Sequence, residues 1–133
     1  MKVVLGILIS LLMLSAASAS ELPYRADTLD RLLAEDRPVV VDFHADWCPI
    51  CRAQAPIIRD LLSQPEFKDL TVLIASYDTE LSLRASLKVS QQSTLVVFRH
   101  GKEVARSTGQ TSREKLAALL RQALPSETRS GTQ

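Results

Sequence analysis

Cysteine and histidine are both scarce in this sequence. Among 133 residues there are two cysteines, Cys48 and Cys51, and two histidines, His44 and His100. Two cysteines exclude a scaffold held together by several disulfides, and a bridge across so short a loop would stabilise the fold by only ~2 kcal/mol. The histidines stand at spacings from the cysteines that match no common structural zinc site. A zinc site or a pair of inert buried cysteines would explain the pair less well than redox chemistry does.

An excess of charge of one sign is also absent. Lysine and arginine number 16 and aspartate and glutamate 15, which gives a formal net charge of +1. This balance provides no basic field for nucleic acid, so we predict no nucleic-acid partner. The sequence also has no repeats, no low-complexity tract and no internal linker. We therefore expect one domain that works as a monomer.

The N-terminus carries an almost unbroken apolar run. Lys2 precedes the apolar residues 3–14, and the small residues that follow place Ala17 and Ala19 at the positions of a signal-peptidase site. We predict a cleaved signal peptide over residues 1–19 and a periplasmic or secreted protein. No cysteine follows the run, which excludes a lipid anchor on a new N-terminal cysteine. Retention of the run as a membrane anchor is the alternative, although the run is short for a spanning helix.

Apolar periodicity predicts an α/β domain over residues 20–124. Runs of β-branched and apolar residues indicate strands over residues 38–43, 71–76, 94–98 and 103–107. Helical spacing of leucine and isoleucine indicates helices over residues 28–35, 52–62, 79–87 and 113–124. This order predicts a parallel β-α-β unit, a crossover helix and then an antiparallel hairpin. The polar residues 125–133 are expected to form a flexible tail.

The two cysteines lie at the junction between the first of these strands and the helix after it. At a helix N-terminus, unpaired backbone N–H groups and the positive end of the dipole stabilise a thiolate. We therefore expect Cys48 to be an exposed thiol with a lowered pKa. Cys51, one turn further along, is placed to resolve a mixed disulfide formed at Cys48.

The segment from Val41 to Cys51, with the sequence VDFHADWCPIC, resembles the active-site segment of thioredoxins. It is closer still to the C-terminal domain of the transmembrane thiol-disulfide interchange reductases, in which ADWCxxCK is usual. The resemblance continues over the predicted domain, from about residue 29 to residue 124. It implies a thioredoxin fold, in which helices flank a central mixed β-sheet built from a parallel β-α-β unit and an antiparallel hairpin.

The resemblance also implies a role for each residue of the site. Cys48 would be the attacking thiol and Cys51 the resolving thiol, and their redox-active disulfide would serve without any cofactor or metal. Asp42 matches a buried strand carboxylate, whose pKa burial would raise and which would take the proton from Cys51. The implied substrate-binding surface consists of Trp47, Pro49, Ile50, Gln92, Ser93 and Thr94.

Three positions depart from the family pattern. Ser93 stands where the family has a cis-proline, so the bond before it is either a strained cis peptide or trans. Loss of the proline ring leaves room and a hydroxyl beside the sulfurs. His44 stands where tryptophan is frequent, and Ile74 replaces a lysine that often neighbours the buried carboxylate.

The residues between the cysteines indicate the direction of electron flow. Pro49 and Ile50 provide no cation to stabilise the thiolate, which suits a reductant. We predict an exported thiol-disulfide oxidoreductase that reduces disulfides in exported proteins. The resemblance implies that a membrane electron donor of the thiol-disulfide interchange type recharges it. The alternatives are a disulfide oxidase or isomerase, and a copper-binding or copper-delivery protein that uses Cys48 and Cys51 as soft ligands with His44 nearby.

Overall fold

The computed structural model describes residues 18–126, and within them five strands and four α-helices are assigned. Most of the predicted signal peptide, residues 1–17, and most of the predicted tail, residues 127–133, lie outside the described residues. The strands are β1 (Ser20–Pro23), β2 (Val39–His44), β3 (Thr71–Ser76), β4 (Thr94–Arg99) and β5 (Lys102–Thr108). The helices are α1 (Ala26–Ala34), α2 (Pro49–Leu62), α3 (Leu81–Leu87) and α4 (Arg113–Arg121), with a short 3-10 helix at Pro65–Phe67.

All five strands belong to one mixed sheet with the order β1-β3-β2-β4-β5. β1 and β2 pair with β3 in parallel, whereas β4 pairs antiparallel with both β2 and β5. The β2-α2-β3 segment is therefore the predicted parallel unit, and β4-β5 is the predicted hairpin. The expected thioredoxin fold, a mixed sheet flanked by helices, is confirmed.

β1 has no counterpart among the strands predicted from the sequence. It is four residues long, ends at Pro23 and leaves Leu22 exposed, so it lacks the apolar alternation by which strands are recognised. Its position comes from pairing with β3, where the N–H of Ser20 donates to the Leu70 carbonyl at 3.2 Å and the N–H of Tyr24 to the Ile74 carbonyl at 2.8 Å. β3 is therefore covered on both edges.

The sheet separates two apolar cores, because successive side chains of a strand point to opposite faces. On one face, alternate residues of the sheet pack against α2 and α4; this core includes Val40, Ile58, Val72, Leu95, Leu116 and Leu120. On the other face, the intervening residues pack against α1 and α3; this core includes Leu29, Val41, Phe43, Leu73, Leu83 and Val96. Asp42 lies on β2 between Val41 and Phe43, so its side chain enters the α2 side.

α2 begins at Pro49, three residues before the predicted start of this helix. Proline suits the first helical position, because its fixed φ matches the helix and its missing N–H would have had no partner there. The early start makes Cys48 the N-cap residue of α2. No helix in the range 18–126 is long and apolar enough to cross a membrane.

Three segments meet at one end of the sheet. β2 ends at His44, α2 begins at Pro49 after a turn of four residues, and β4 begins at Thr94, whose register partner on β2 is Phe43. The cysteines at the start of α2 and the loop that precedes β4 are thus brought to the same end. This junction is where the candidate site lies.

Candidate active site

Cys48 is held at the start of α2 by its own backbone and by its sulfur. Its N–H donates to the Ala45 carbonyl at 3.1 Å, which closes the turn after β2. Its Sγ accepts the backbone N–H of Cys51 at 3.2 Å, and this is the bond that an N-cap side chain makes. Both cysteines are free thiols in this structure. The sulfur of Cys48 therefore accepts a hydrogen bond from one of the otherwise unpaired N–H groups at the positive end of the helix.

The two thiols differ in acidity. Burial alone would raise the pKa of Cys48, but hydrogen bonds from the Cys51 side chain, from the N–H groups of Cys51 and Ile50, and from the Ser93 side chain outweigh it and leave the pKa lowered. Burial raises the pKa of Cys51, and donation of its hydrogen bond to Cys48 raises it further. This arrangement makes Cys48 the more acidic of the two thiols, so Cys48 ionises before Cys51 as the pH rises.

The expected exposure of Cys48 is wrong. Cys48 and Cys51 are each only 1% exposed, and both pack with Ala45 and the half-buried ring of Tyr77. The physical reason is the N-cap geometry, because the sulfur turns back over the helix end and the Ser93 side chain lies against it. Attack on a substrate disulfide therefore requires a local opening around this sulfur.

Asp42 lies beneath the cysteines on β2 and is 4% exposed. Its Oδ1 is buried, and it makes no hydrogen bond within the described part of the chain. Burial raises the pKa of Asp42 to about 6, while His44 acts to lower it and Glu21 to raise it. The sheet register pairs Asp42 with Ile74, the position where the family often has lysine. The carboxyl group is thus a buried base without a cation across the strand.

The loop before β4 adopts a trans Gln92–Ser93 bond, so the cis alternative is wrong for this chain. The turn is made at Ser93 itself, whose φ of +57° lies in the left-handed region that non-glycine residues rarely adopt. The N–H of Ser93 donates to the Phe43 carbonyl at 2.8 Å, and its carbonyl accepts the N–H of Gly109 at 2.9 Å. Phe43 of β2 and Gly109, the residue that follows β5, therefore fix the backbone of this loop from both sides.

The residues predicted to bind substrate fall into two groups. Trp47, Pro49 and Ile50 are exposed, with Trp47 at 58% and Ile50 at 43%, and they form an apolar rim beside the covered sulfur. The indole N–H of Trp47 donates to Asp78 Oδ2 at 2.8 Å, which fixes the ring at the surface. Gln92 is half-buried, whereas Ser93 and Thr94 are each 3% exposed.

Gln54 is a residue of the site that the sequence prediction missed. It is 1% exposed on α2, and its Nε2 donates to the Gln110 carbonyl at 2.9 Å and to the Ser93 carbonyl at 3.4 Å. It therefore ties the helix that carries the cysteines to the Ser93 loop. A signal was available, because Cys51, Gln54 and Ile58 share one helical face and a lone amide among buried residues needs partners.

A second missed feature is a stack formed by Tyr77 and Arg84. The Arg84 guanidinium lies over the Tyr77 ring at 3.7 Å from the ring centre and donates to its hydroxyl at 2.8 Å. That hydroxyl in turn donates to the Ser90 carbonyl at 2.8 Å. The stack joins α3 to the start of the Ser93 loop, a long-range contact that the sequence pattern does not reveal.

The two histidines lie in different surroundings. His44 Nε2 is 3.3 Å from Asp46 Oδ1, and His100, in the hairpin turn, has its Nδ1 3.0 Å from Asp36 Oδ2. Residues 18–126 contain no group of three or more His, Cys, Asp or Glu side chains arranged to hold a metal ion. A soft metal would have to be held by the two sulfurs.

Comparison with known proteins places the chain in a family. The sequence model of the Thioredoxin family matches residues 22–122. The thioredoxin of Mycobacterium bovis is 34% identical over 91 residues, which cover 68% of this chain and 75% of that protein. Thioredoxin-1 of Saccharomyces cerevisiae is 37% identical over 84 residues, which cover 63% of this chain and 80% of that protein.

Solved structures show the same similarity. The crystal structure of Trxlp from Edwardsiella tarda has a TM-score of 0.74 and 40% sequence identity, and the match covers 76% of this chain and 98% of that one. The shared sheet, the cysteine pair at the start of α2 and these matches lead to one conclusion. The chain belongs to the thioredoxin family and is a thioredoxin-type thiol-disulfide oxidoreductase, a disulfide reductase.

Proposed function

We propose that this protein is exported and reduces disulfide bonds in other exported proteins, with Cys48 as the attacking and Cys51 as the resolving thiol. The observation that carries the proposal is the unequal acidity of two sulfurs at one helix N-terminus. Hydrogen bonds from α2 and Ser93 lower the pKa of Cys48, whereas burial raises that of Cys51. A nucleophile that ionises more readily than the thiol beside it is what an ordered two-step exchange needs.

The first step forms a mixed disulfide. The Cys48 thiolate attacks one sulfur of the substrate disulfide, the substrate S–S bond breaks, and the other substrate sulfur leaves as a thiolate. The negative charge thereby moves from the helix N-terminus to the leaving sulfur. The apolar rim of Trp47, Pro49 and Ile50 would dock the substrate while the cover over Cys48 opens.

The second step releases the substrate. Cys51 gives its proton to Asp42, attacks the Cys48 sulfur and expels the second substrate thiolate, which leaves a Cys48–Cys51 disulfide. Two electrons pass to the substrate, so one substrate disulfide becomes two thiols. Asp42 suits this role because burial holds its pKa near 6, which leaves it ionised at neutral pH but more basic than an ordinary aspartate.

Export is supported by the sequence alone, through the basic residue, apolar run and Ala17-x-Ala19 pattern of residues 1–19. A redox-active dithiol outside the cytosol is oxidised unless it is re-reduced. The resemblance of residues 41–51 to the transmembrane interchange reductases supports a membrane electron donor of that type. The neutral Pro49-Ile50 pair supports reduction as the direction of the reaction.

The reaction is tested with the reduced protein and insulin. We expect insulin reduction, loss of turnover in Cys48→Ala, and accumulation of a mixed disulfide at Cys48 in Cys51→Ala. The reduction potential should lie below about −200 mV, whereas a potential near about −120 mV would identify an oxidase. A mixed disulfide formed at Cys51 instead of Cys48 would refute the assigned roles.

Export is tested by sequencing the N-terminus of the full chain expressed in a bacterium with a periplasm. We expect the protein in the periplasmic fraction with Ser20 as its first residue. The matched variant Ala19→Asp should block this cleavage. Recovery of the wild-type chain with residues 1–19 intact in the cytosol would contradict export. In cells without a membrane thiol-disulfide interchange donor, the cysteines should accumulate in the disulfide form.

A further inference from the structure

The loop that precedes β4 uses its carbonyl groups in an unusual way. Four successive carbonyls each accept a hydrogen bond from within the protein. The donors to the carbonyls of residues 90, 91, 92 and 93 are Tyr77 Oη at 2.8 Å, Thr94 Oγ1 at 2.8 Å, Ser93 Oγ at 2.5 Å and the Gly109 N–H at 2.9 Å. Two of the six residues predicted to bind substrate, Gln92 and Ser93, lie in this loop, yet its carbonyl acceptors are occupied.

One of these four bonds differs from the others, because its donor also lies beside the reactive sulfur. The Ser93 hydroxyl donates to the Gln92 carbonyl, and the same side chain is one of the groups that lower the pKa of Cys48. A hydroxyl has a single proton to donate. It can serve the Gln92 carbonyl or the Cys48 sulfur, but not both fully.

We propose that Ser93 is a positioning residue that couples the ionisation of Cys48 to the uncovering of the Gln92 carbonyl as an acceptor for the backbone of the substrate. With Cys48 as a thiol, the hydroxyl covers the Gln92 carbonyl. With Cys48 as a thiolate, the hydroxyl turns to the sulfur, because a hydrogen bond to an ionised acceptor is about twice as strong as one to a neutral acceptor. This inference rests on the proposed role of Cys48 and on docking at Gln92.

The surrounding contacts restrict the change to one side-chain rotation. The backbone of Ser93 is held by Phe43 on one side and Gly109 on the other, and Gln54 donates to its carbonyl at 3.4 Å. Ser93 is 3% exposed, so water does not compete freely for its hydroxyl. Gln92 is half-buried and therefore still within reach of a docked chain.

The coupling must act in both directions. If the thiolate form presents the carbonyl and binds an extended segment more tightly, then binding of that segment favours the thiolate by the same factor. The titratable groups around the two cysteines are Cys51 beside Cys48 on α2, Tyr77 from the turn after β3, and Asp42 from β2, whose charge acts on Cys51. Substitution of Ser93 leaves all three in place, so a shift in that variant reports the hydroxyl.

The direct test follows the Gln92 carbonyl in the reduced full-length protein. The sequence contains a single Gln-Ser dipeptide, Gln92-Ser93, so labelled glutamine carbonyl and serine nitrogen select this one peptide group by NMR. We expect its carbonyl shift to titrate with the midpoint of Cys48 in the wild type and to stay flat in Ser93→Ala. A flat wild-type signal, or the same titration in the variant, would overturn the proposal.

The second readout is the acidity of Cys48, measured as the pH midpoint of its alkylation by iodoacetamide. Loss of the hydroxyl should raise this midpoint by about one pH unit. Ser93→Gly also lacks the hydroxyl and accepts the φ of +57° without strain, so it should agree with Ser93→Ala. Ser90→Ala removes a hydroxyl from the same loop as a matched control and should leave the midpoint unchanged. An unchanged midpoint in both Ser93 variants would contradict the proposal.

The substrate half of the proposal is tested by the KM for insulin as a function of pH. In the wild type, KM should fall as Cys48 ionises, whereas in Ser93→Ala it should not change across the same range. A parallel fall in the variant would refute docking through the uncovered carbonyl. Failure of the proposed function would look different, because insulin would then not be reduced at all while the Gln92 signal still titrated.

Discussion

At the scale of single residues, Asp42 is a carboxyl group in an unfavourable, buried environment. Its carboxyl group is 4% exposed, one of its oxygens has no partner among residues 18–126, and Ile74 rather than a cation lies across the strand. A protein that only needed to be stable would gain by replacing it. Its retention fits a base that must accept a proton from Cys51.

The raised pKa of Asp42 makes stability depend on pH. Because the folded protein holds this proton up to about pH 6 and the unfolded chain releases it near the ordinary value, stability should fall as the pH rises from about 4 to above 6. The loss should approach about 3 kcal/mol at neutral pH, and Asp42→Asn should abolish it. Denaturant unfolding at about pH 4 and about pH 7 measures this difference.

The control for this prediction is Asp46→Asn, which removes a fully exposed carboxylate of the same turn and should keep the wild-type pH dependence. If the wild-type protein were instead more stable at about pH 7 than at about pH 4, Asp42 would not be a costly buried charge. The same result would remove the physical basis for its role as a base.

At the scale of elements, the register between β2 and β3 determines what faces Asp42. Ile74→Lys places an ammonium group across the strand from the carboxylate, where an opposite charge should lower the pKa of Asp42 by about 1 to 3 units. NMR titration of the carboxyl carbon measures the shift. Insulin reduction should extend to lower pH, because the base stays ionised there. Ile74→Met keeps the volume without the charge, and an equal shift in that variant would argue against a charge effect.

Pairing between β1 and β3 provides the second prediction at this scale. A chain that begins at Tyr24 lacks β1 and exposes the edge of β3, so it should lose about 2 kcal/mol of unfolding free energy and aggregate more readily than a chain that begins at Ser20. Denaturant unfolding and light scattering compare the two chains. Equal stability would mean that β1 contributes nothing to the sheet.

At the scale of the whole molecule, the features that can be predicted from the sequence are the strands, helices and turns that apolar periodicity and local motifs encode. β3 is predicted at its observed bounds, and β2, β4 and β5 within one residue at each end. β2, β3 and β4 are apolar, β-branched runs, whereas β5 follows from the hairpin turn before it. The predicted strand before the cysteines and the predicted helix after them also place the cysteines at a strand-to-helix junction. β1 was not predictable in this way, since it exists through pairing with β3 rather than through its own pattern.

The finer structure of the site depends on contacts between distant segments. The burial of Cys48 follows from its N-cap geometry and from packing against Tyr77, and the trans bond before Ser93 with its left-handed φ follows from anchoring to Phe43 and Gly109. No local pattern encodes these contacts. The buried amide of Gln54 could have been recognised on its helical face, but its two acceptors could not.

The central claim is that one end of this fold makes two chemically similar sulfurs unequal. Reaction of the reduced protein with limiting iodoacetamide across pH, followed by peptide mass spectrometry, measures this most directly. We expect label on Cys48 alone at neutral pH, with a midpoint below the ordinary cysteine value of about 8.5. Equal labelling of Cys48 and Cys51, or a Cys48 midpoint at or above that value, would contradict it.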